Sequence, residues 1–178
     1  MCVMCNGGTL EDLFRILNLQ IIDRGFAIVP VSTRTGNKGW AYTIGLIDSK
    51  DHPEMVVAGY PLDVAIDVLN QLGAAVIAGD RLDPTGRLAF NGLEIGARSV
   101  HERHLRGDLI AGWHFYYETL GRHDLVPRAL QVVLPDGGCC FEHQTTQPRL
   151  DDRRHVPFDG PNRQQRRARP RTSHRRSI

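Results

Sequence analysis

A chain of 178 residues, 41% hydrophobic and 24% charged, has the length of one domain and the balance of a globular protein with a sizeable core. The formal charge of +2 conceals a division. Residues 161–178 hold seven arginines and no acid, which leaves 22 − 7 = 15 basic against 20 acidic residues elsewhere, a net of −5. No run approaches the ~18 apolar residues of a membrane span.

The first apolar stretch, LFRILNLQII, is broken by Arg15, Asn18 and Gln20, so it reads as an amphipathic helix rather than a signal sequence. The expectation is a cytoplasmic chain with reduced thiols. Thr9 with Asp12 three residues on has the form of a capping box. Leu10, Leu13, Phe14, Leu17 and Ile21 follow at helical spacing, and Gly25 can end the helix.

FAIVPVSTR and GWAYTIGL then flank TGNKG, a hairpin-like pair, and EMVVAGY reads as a third strand. Pro61 opens a second helix with Val64, Val68, Leu69, Leu72 and Val76 on one side, closed by Gly79. RLAF and LEIGARSV around Asn91-Gly92 predict a type I′ hairpin. DLIAGWHFYYETLG reads as a third helix, with Asp108 near its start and Gly121 past its end, and RALQVVL as the last strand. The order β-β-β-α-β-β-α-β behind a leading helix predicts an α+β domain, mostly antiparallel, with about three helices. The expected domain covers residues 1–150. Residues 151–178, rich in Pro, Arg, Gln and Ser without periodicity, predict a disordered tail.

The four cysteines lie at opposite ends of that domain. Cys2 and Cys5 are spaced C-x2-C, and Cys140 and His143 are spaced C-x2-H. Each spacing lets two side chains reach one ion from a tight turn, and together they supply the Cys3His shell that zinc accepts, with Zn–S near ~2.3 Å. Gly7, Gly8, Gly137 and Gly138 would let both backbones turn around the metal. A structural zinc joining the two ends is the expectation. Cys139 stands as the odd thiol, or as a replacement for Cys140 or His143. A redox role for C-x2-C is the weaker reading, because no strand leads into it. Removal of Met1 would expose Cys2 as an N-terminal nucleophile, with nothing in the sequence to favour it.

Met1-Cys2-Val3-Met4-Cys5, Tyr42-Thr43-Ile44-Gly45-Leu46, His52-Pro53-Glu54 and Gln147-Pro148-Arg149-Leu150, in that order and spacing, resemble the bacterial family called domain of unknown function 4262. The likeness covers roughly residues 1–150. It implies one compact bacterial domain and implies no activity.

YTIGLIDSKDHPE gathers Tyr42, Thr43, His52 and Glu54 where one strand ends and the next begins. A His and a carboxylate there would form a general acid–base pair. The structural alternative is that His52-Pro53 starts a turn, Glu54 caps it and Tyr42 packs in the sheet. His101 and His104 lack the zincin spacing and read as exposed histidines in a charged loop. His114, among aromatic residues, reads as a boundary histidine. No phosphate-binding glycine loop is present.

Arg163, Arg166, Arg167, Arg169, Arg171, Arg175 and Arg176 give the tail the composition of a phosphate-neutralising segment for RNA, DNA or another polyanion. It has no aromatic residue for base stacking. Two functions follow from different classes. One is a zinc-stabilised binding domain with a polyanion-associating tail. The other is a small hydrolase-like enzyme with a pocket around Tyr42, His52 and Glu54. Whether the protein is an enzyme the sequence leaves open.

Overall fold

The computed structural model describes residues 7–32, 38–84, 87–90, 93–134 and 148–153. Helix α1 spans Leu10–Arg24 and opens with the expected capping box: Asp12 N–H donates to Thr9 Oγ1 at 3.1 Å, and Thr9 N–H donates to Asp12 Oδ2 at 3.0 Å. Gly25 closes it in the left-handed region at φ 83°. Strands β1 (Ala27–Ser32) and β2 (Lys38–Ile44) form the first hairpin, and β3 (Glu54–Pro61) lies antiparallel to β2. Between β2 and β3 sits a short helix, α2 (Leu46–Lys50), which is too short to register as a periodic signal.

Helix α3 (Leu62–Ala78) follows Pro61 and ends at Gly79, as the sequence predicts. Strands β4 (Arg87–Phe90) and β5 (Leu93–Ser99) pair antiparallel with Phe90 opposite Leu93. The expected third helix divides. Its first residues, Asp108–Ile110, form a 3-10 turn after a short helix, α4 (Glu102–Leu105), and α5 spans Ala111–Thr119. The last strand, β6 (Ala129–Val133), enters the gap between β3 and β5, parallel to β3 and antiparallel to β5. The sheet order is β1-β2-β3-β6-β5-β4, so a mostly antiparallel α+β fold is what the chain adopts.

The sheet is covered on both faces, and neighbouring residues of its central strands point to different cores. Met55 and Val57 join Leu69, Leu72 and Val76 of α3; Val56 and Ala58 join Leu17 of α1 and Trp113, Tyr116 and Tyr117 of α5. Burial on both sides explains the uninterrupted apolar run of β3. Two glycines mark close approaches. A Cβ on Gly73 would stand 2.4 Å from the Phe26 ring, and one on Gly112 would stand 2.6 Å from the Tyr42 hydroxyl.

Helix α1 packs back along β1, with Phe14 stacked on Tyr116 at 5.4 Å and Ile21 beside Gly45. The chain stays attached beyond β6 as well. Gln131, fully buried, donates from Nε2 to the Pro148 carbonyl at 2.6 Å and accepts the Leu150 N–H on Oε1 at 3.0 Å. Leu150 is also fully buried, and its carbonyl accepts from His101 N–H at 2.9 Å.

Candidate functional site

The three residues expected to form a catalytic pocket are all buried: Tyr42 and Glu54 are 1% exposed, and so is His52. Each is held by a different backbone segment. Glu54 stands at the first position of β3 under the N-terminus of α2. Its Oε1 accepts the N–H groups of Gly45 (2.9 Å) and Ile47 (3.4 Å), and its Oε2 accepts the Thr43 hydroxyl (2.7 Å). Thr43 in turn accepts the Met55 N–H at 2.9 Å. The first turn of a helix leaves backbone donors without partners, and α2 has no side-chain cap of its own. Glu54 supplies that cap from the next strand. Burial raises its carboxyl above the ordinary range, against the opposing pull of the Thr43, Gly45 and Ile47 hydrogen bonds.

His52 makes two bonds of opposite kind. Nδ1 donates to the Pro53 carbonyl at 2.6 Å and Nε2 accepts the Leu82 N–H at 3.1 Å, which fixes the neutral tautomer with its proton on Nδ1. Burial depresses its basicity, and the positive charges of Arg81 and Arg128 add to the effect. Both cations are fastened to Asp51, Arg81 to its carbonyl and Arg128 to its carboxylate.

Tyr42 serves α5. Its hydroxyl oxygen accepts the Gly112 N–H at 2.8 Å, standing in for the side-chain cap that Ile110 does not provide. Burial pushes the phenol well above its usual range.

Among the described residues no hydrogen bond joins one of these three side chains to another: Glu54 accepts from Gly45 and Ile47, His52 from Leu82 and Tyr42 from Gly112. The structural alternative describes them: Glu54 caps, His52 fixes a turn and Tyr42 packs in the sheet. A shallow depression beside α1 is lined by Glu11, Asp12, Phe14, Arg15 and Asn18, and by none of the three.

His101, His104 and His114 are also engaged. His101 is the N-cap of α4, accepting the Arg103 N–H on Nδ1 at 3.1 Å. His104 bonds the Asp152 carbonyl through Nε2 at 2.9 Å, and half-buried His114 bonds the Leu105 carbonyl at 2.6 Å. The two residues of the expected charged loop thus sit at a short helix.

The metal ligands Cys2, Cys5, Cys140 and His143, with Cys139, lie outside the described residues, as do the seven tail arginines. Among the described residues no group of three or more His, Cys, Asp or Glu is arranged to hold a metal, and no helix is long and apolar enough to cross a membrane.

The match of sequence to family is direct. Residues 20–145, well over half of the chain, fit the family described as a domain of unknown function (DUF4262). The protein belongs to this family. No curated protein and no solved structure matches it. The positions that carry the likeness now have physical roles. In Tyr42-Thr43-Ile44-Gly45-Leu46 and His52-Pro53-Glu54 they are the capping knot around α2 and the supports of α5 and Leu82. Pro148 and Leu150, beyond the matched residues, are held by Gln131. Gln131 itself escapes the sequence reading; its only signal is a lone polar residue within the apolar strand RALQVVL.

Two outcomes follow. Glu54→Ala strands three buried donors and should cost about 3 to 5 kcal/mol, whereas Glu54→Gln keeps an oxygen for Gly45 and Ile47 and should cost less than half of that. Urea unfolding of the two variants measures the difference. Equal losses would mean that the capping bonds are not what makes Glu54 necessary.

The second concerns acid. Because the folded state holds His52 below its ordinary value near 6.5, its contribution is complete above that pH and is lost as pH falls from there toward the folded value. Glu54, raised in the fold, works in the opposite direction, gaining as pH falls. The test is the stability difference between the parent and His52→Gln at pH 7.5 and 5.5. It should shrink at the lower pH, and a constant difference would contradict the neutral, buried assignment.

Proposed function

We propose that this protein is a zinc-stabilised binding domain whose arginine-rich C-terminal tail associates with nucleic acid or another polyanion. The observation that carries the reading is the seating of residues 148–153. Gln131, His101, His104 and Arg103 bond the carbonyls of Pro148, Leu150, Asp152 and Arg153 respectively, so the root of the tail is fastened to α4. A segment with seven arginines and no acid, leaving a fixed point on a fold that is otherwise net −5, neutralises phosphates without depending on base identity.

The engagement of Tyr42, His52 and Glu54 in backbone capping also favours binding over hydrolysis, since none is free to exchange a proton with a ligand in its present bonds.

For the metal, the support is the paired C-x2-C and C-x2-H spacing together with the course of the chain. In sequence, one residue separates Cys5 from Gly7, near the start of α1, and five separate Leu134, just after β6, from Cys140. Zinc there would tie together two chain ends that otherwise depend on short local contacts.

Elemental analysis of untagged protein should find about one zinc per chain. Cys5→Ser and Cys140→Ser should lose it and melt earlier, while Cys139→Ser should keep both metal and stability; metal-free parent protein would end the zinc reading. Separately, binding to an unstructured oligonucleotide should weaken with salt along a log–log slope of about 3 to 6, and deletion of residues 161–178 should remove most of the affinity. Equal retention of the oligonucleotide by the full chain and the truncated protein at either salt would move the partner-binding surface away from the tail.

A further inference from the structure

The described surface around the root of the tail holds guanidinium groups of two kinds. Some are already compensated: Arg106 pairs with Glu102 at 2.9 Å, and Arg149 pairs with Asp151 at 2.9 Å. Others are not. Arg103 donates to the Arg153 carbonyl at 3.2 Å, a bond that engages its hydrogens without neutralising its charge. Arg98 and Arg153 are exposed and have no ion-pair partner within 4 Å among the described residues. Asp151, held below the ordinary carboxylate range chiefly by Arg149, also feels the charge of Arg98.

These three residues lie together because of the fold. Arg98 stands opposite Gln131 in the β5–β6 ladder, so both side chains project from the same face of the sheet. Gln131 holds Pro148 and Leu150 on that face, and Arg103 holds the carbonyl of Arg153 three residues further on. Side chains from β5, α4 and the end of the described chain thus flank one anchored strand of backbone.

We propose that Arg98, Arg103 and Arg153 form a phosphate-contacting face of the folded domain for the sugar–phosphate backbone of single-stranded nucleic acid. The inference rests on the tail reading above and adds to it a structured half of the site. Outside residues 161–178 the protein carries five more acidic than basic residues, a balance that repels a polyanion. A strand captured by the tail meets Arg98, Arg103 and Arg153 beside the anchored segment, where the single carboxylate of Asp151 is shared between Arg149 and Arg98. Arginine presents several N–H donors to a phosphate, and here three are held close to one anchored segment rather than on a free chain.

The face also predicts how the binding is built. Tail and face contribute in series, so each releases its own counterions and the salt slopes add.

The test uses the full chain, a single-stranded homopolymer labelled for fluorescence anisotropy, and a series of salt concentrations. Arg98→Gln touches no bond of the anchored segment and should lower the log–log slope by about 0.7; Arg98→Gln with Arg103→Gln should lower it by about 1.4, the value expected for single strands at one phosphate per cation. Affinity at low salt should fall several-fold. Arg98→Lys with Arg103→Lys should retain most of it, and Arg98→Glu should weaken binding more than Arg98→Gln. Thermal melting of each variant separates loss of charge from release of the anchored segment. Parent-like slopes and affinities in Arg98→Gln, Arg98→Glu and the double glutamine variant would overturn the proposed face while leaving the tail as the binding element. No binding by the parent chain at any salt concentration would overturn both.

Discussion

The constraint on which this architecture depends is that backbone N–H groups at the start of a helix need acceptors, and two helices here do not bring their own. Helix α2 begins at Gly45 and Leu46 without a capping side chain, and α5 begins after Ile110 without one. The sheet provides both. Glu54 reaches from β3 to the first turn of α2, Thr43 locks that carboxylate to β2 and β3, and Tyr42 reaches from β2 to α5. An uncapped buried donor costs about 1 to 3 kcal/mol, so these bonds fix where the two helices start relative to the strands. Positions with the look of a catalytic set are thereby committed to holding the layers in register.

The same economy governs the glycines at the contacts. Gly45 lies at φ 112°, and a Cβ there would meet the Gly25 carbonyl at 3.0 Å, so α1 and α2 approach as closely as backbone allows. Gly112 leaves room for the Tyr42 hydroxyl. At Gly112 the close approach lets the Tyr42 hydroxyl satisfy a backbone N–H directly, which is why a residue with no side chain is needed there.

On the other half of the sheet the last strand does two things at once. Its apolar residues complete both cores, while Gln131 turns the backbone of residues 148–150 into a fixed edge of the domain. Leu150 then fills the α1–α5 core and the carbonyls beyond it are taken by α4. The body of the protein and its basic extension are joined at one defined place, which is what turns a charged composition into a surface with a location. The acidic character of the rest of the chain sharpens that contrast.

Local signals carried much of this fold. The Thr9–Asp12 box, Gly25, Pro61 and Gly79 mark element ends through interactions within a few residues, and the continuous apolar run of β3 announces burial on both faces; the Asn91-Gly92 turn itself lies outside the described residues. The opposed charge of body and tail is likewise a property of composition alone. What only the tertiary structure decided is how distant polar residues are used. Tyr42, His52 and Glu54 are close in sequence and suggested one pocket, yet strand alternation and the intervening α2 send them to three different backbone segments. Gln131 gave almost no signal, because its partners, Pro148 and Leu150, are 17 and 19 residues away. A side chain's chemistry is written in its residue type, but the donor or acceptor it must satisfy is set by which backbone the fold brings to it.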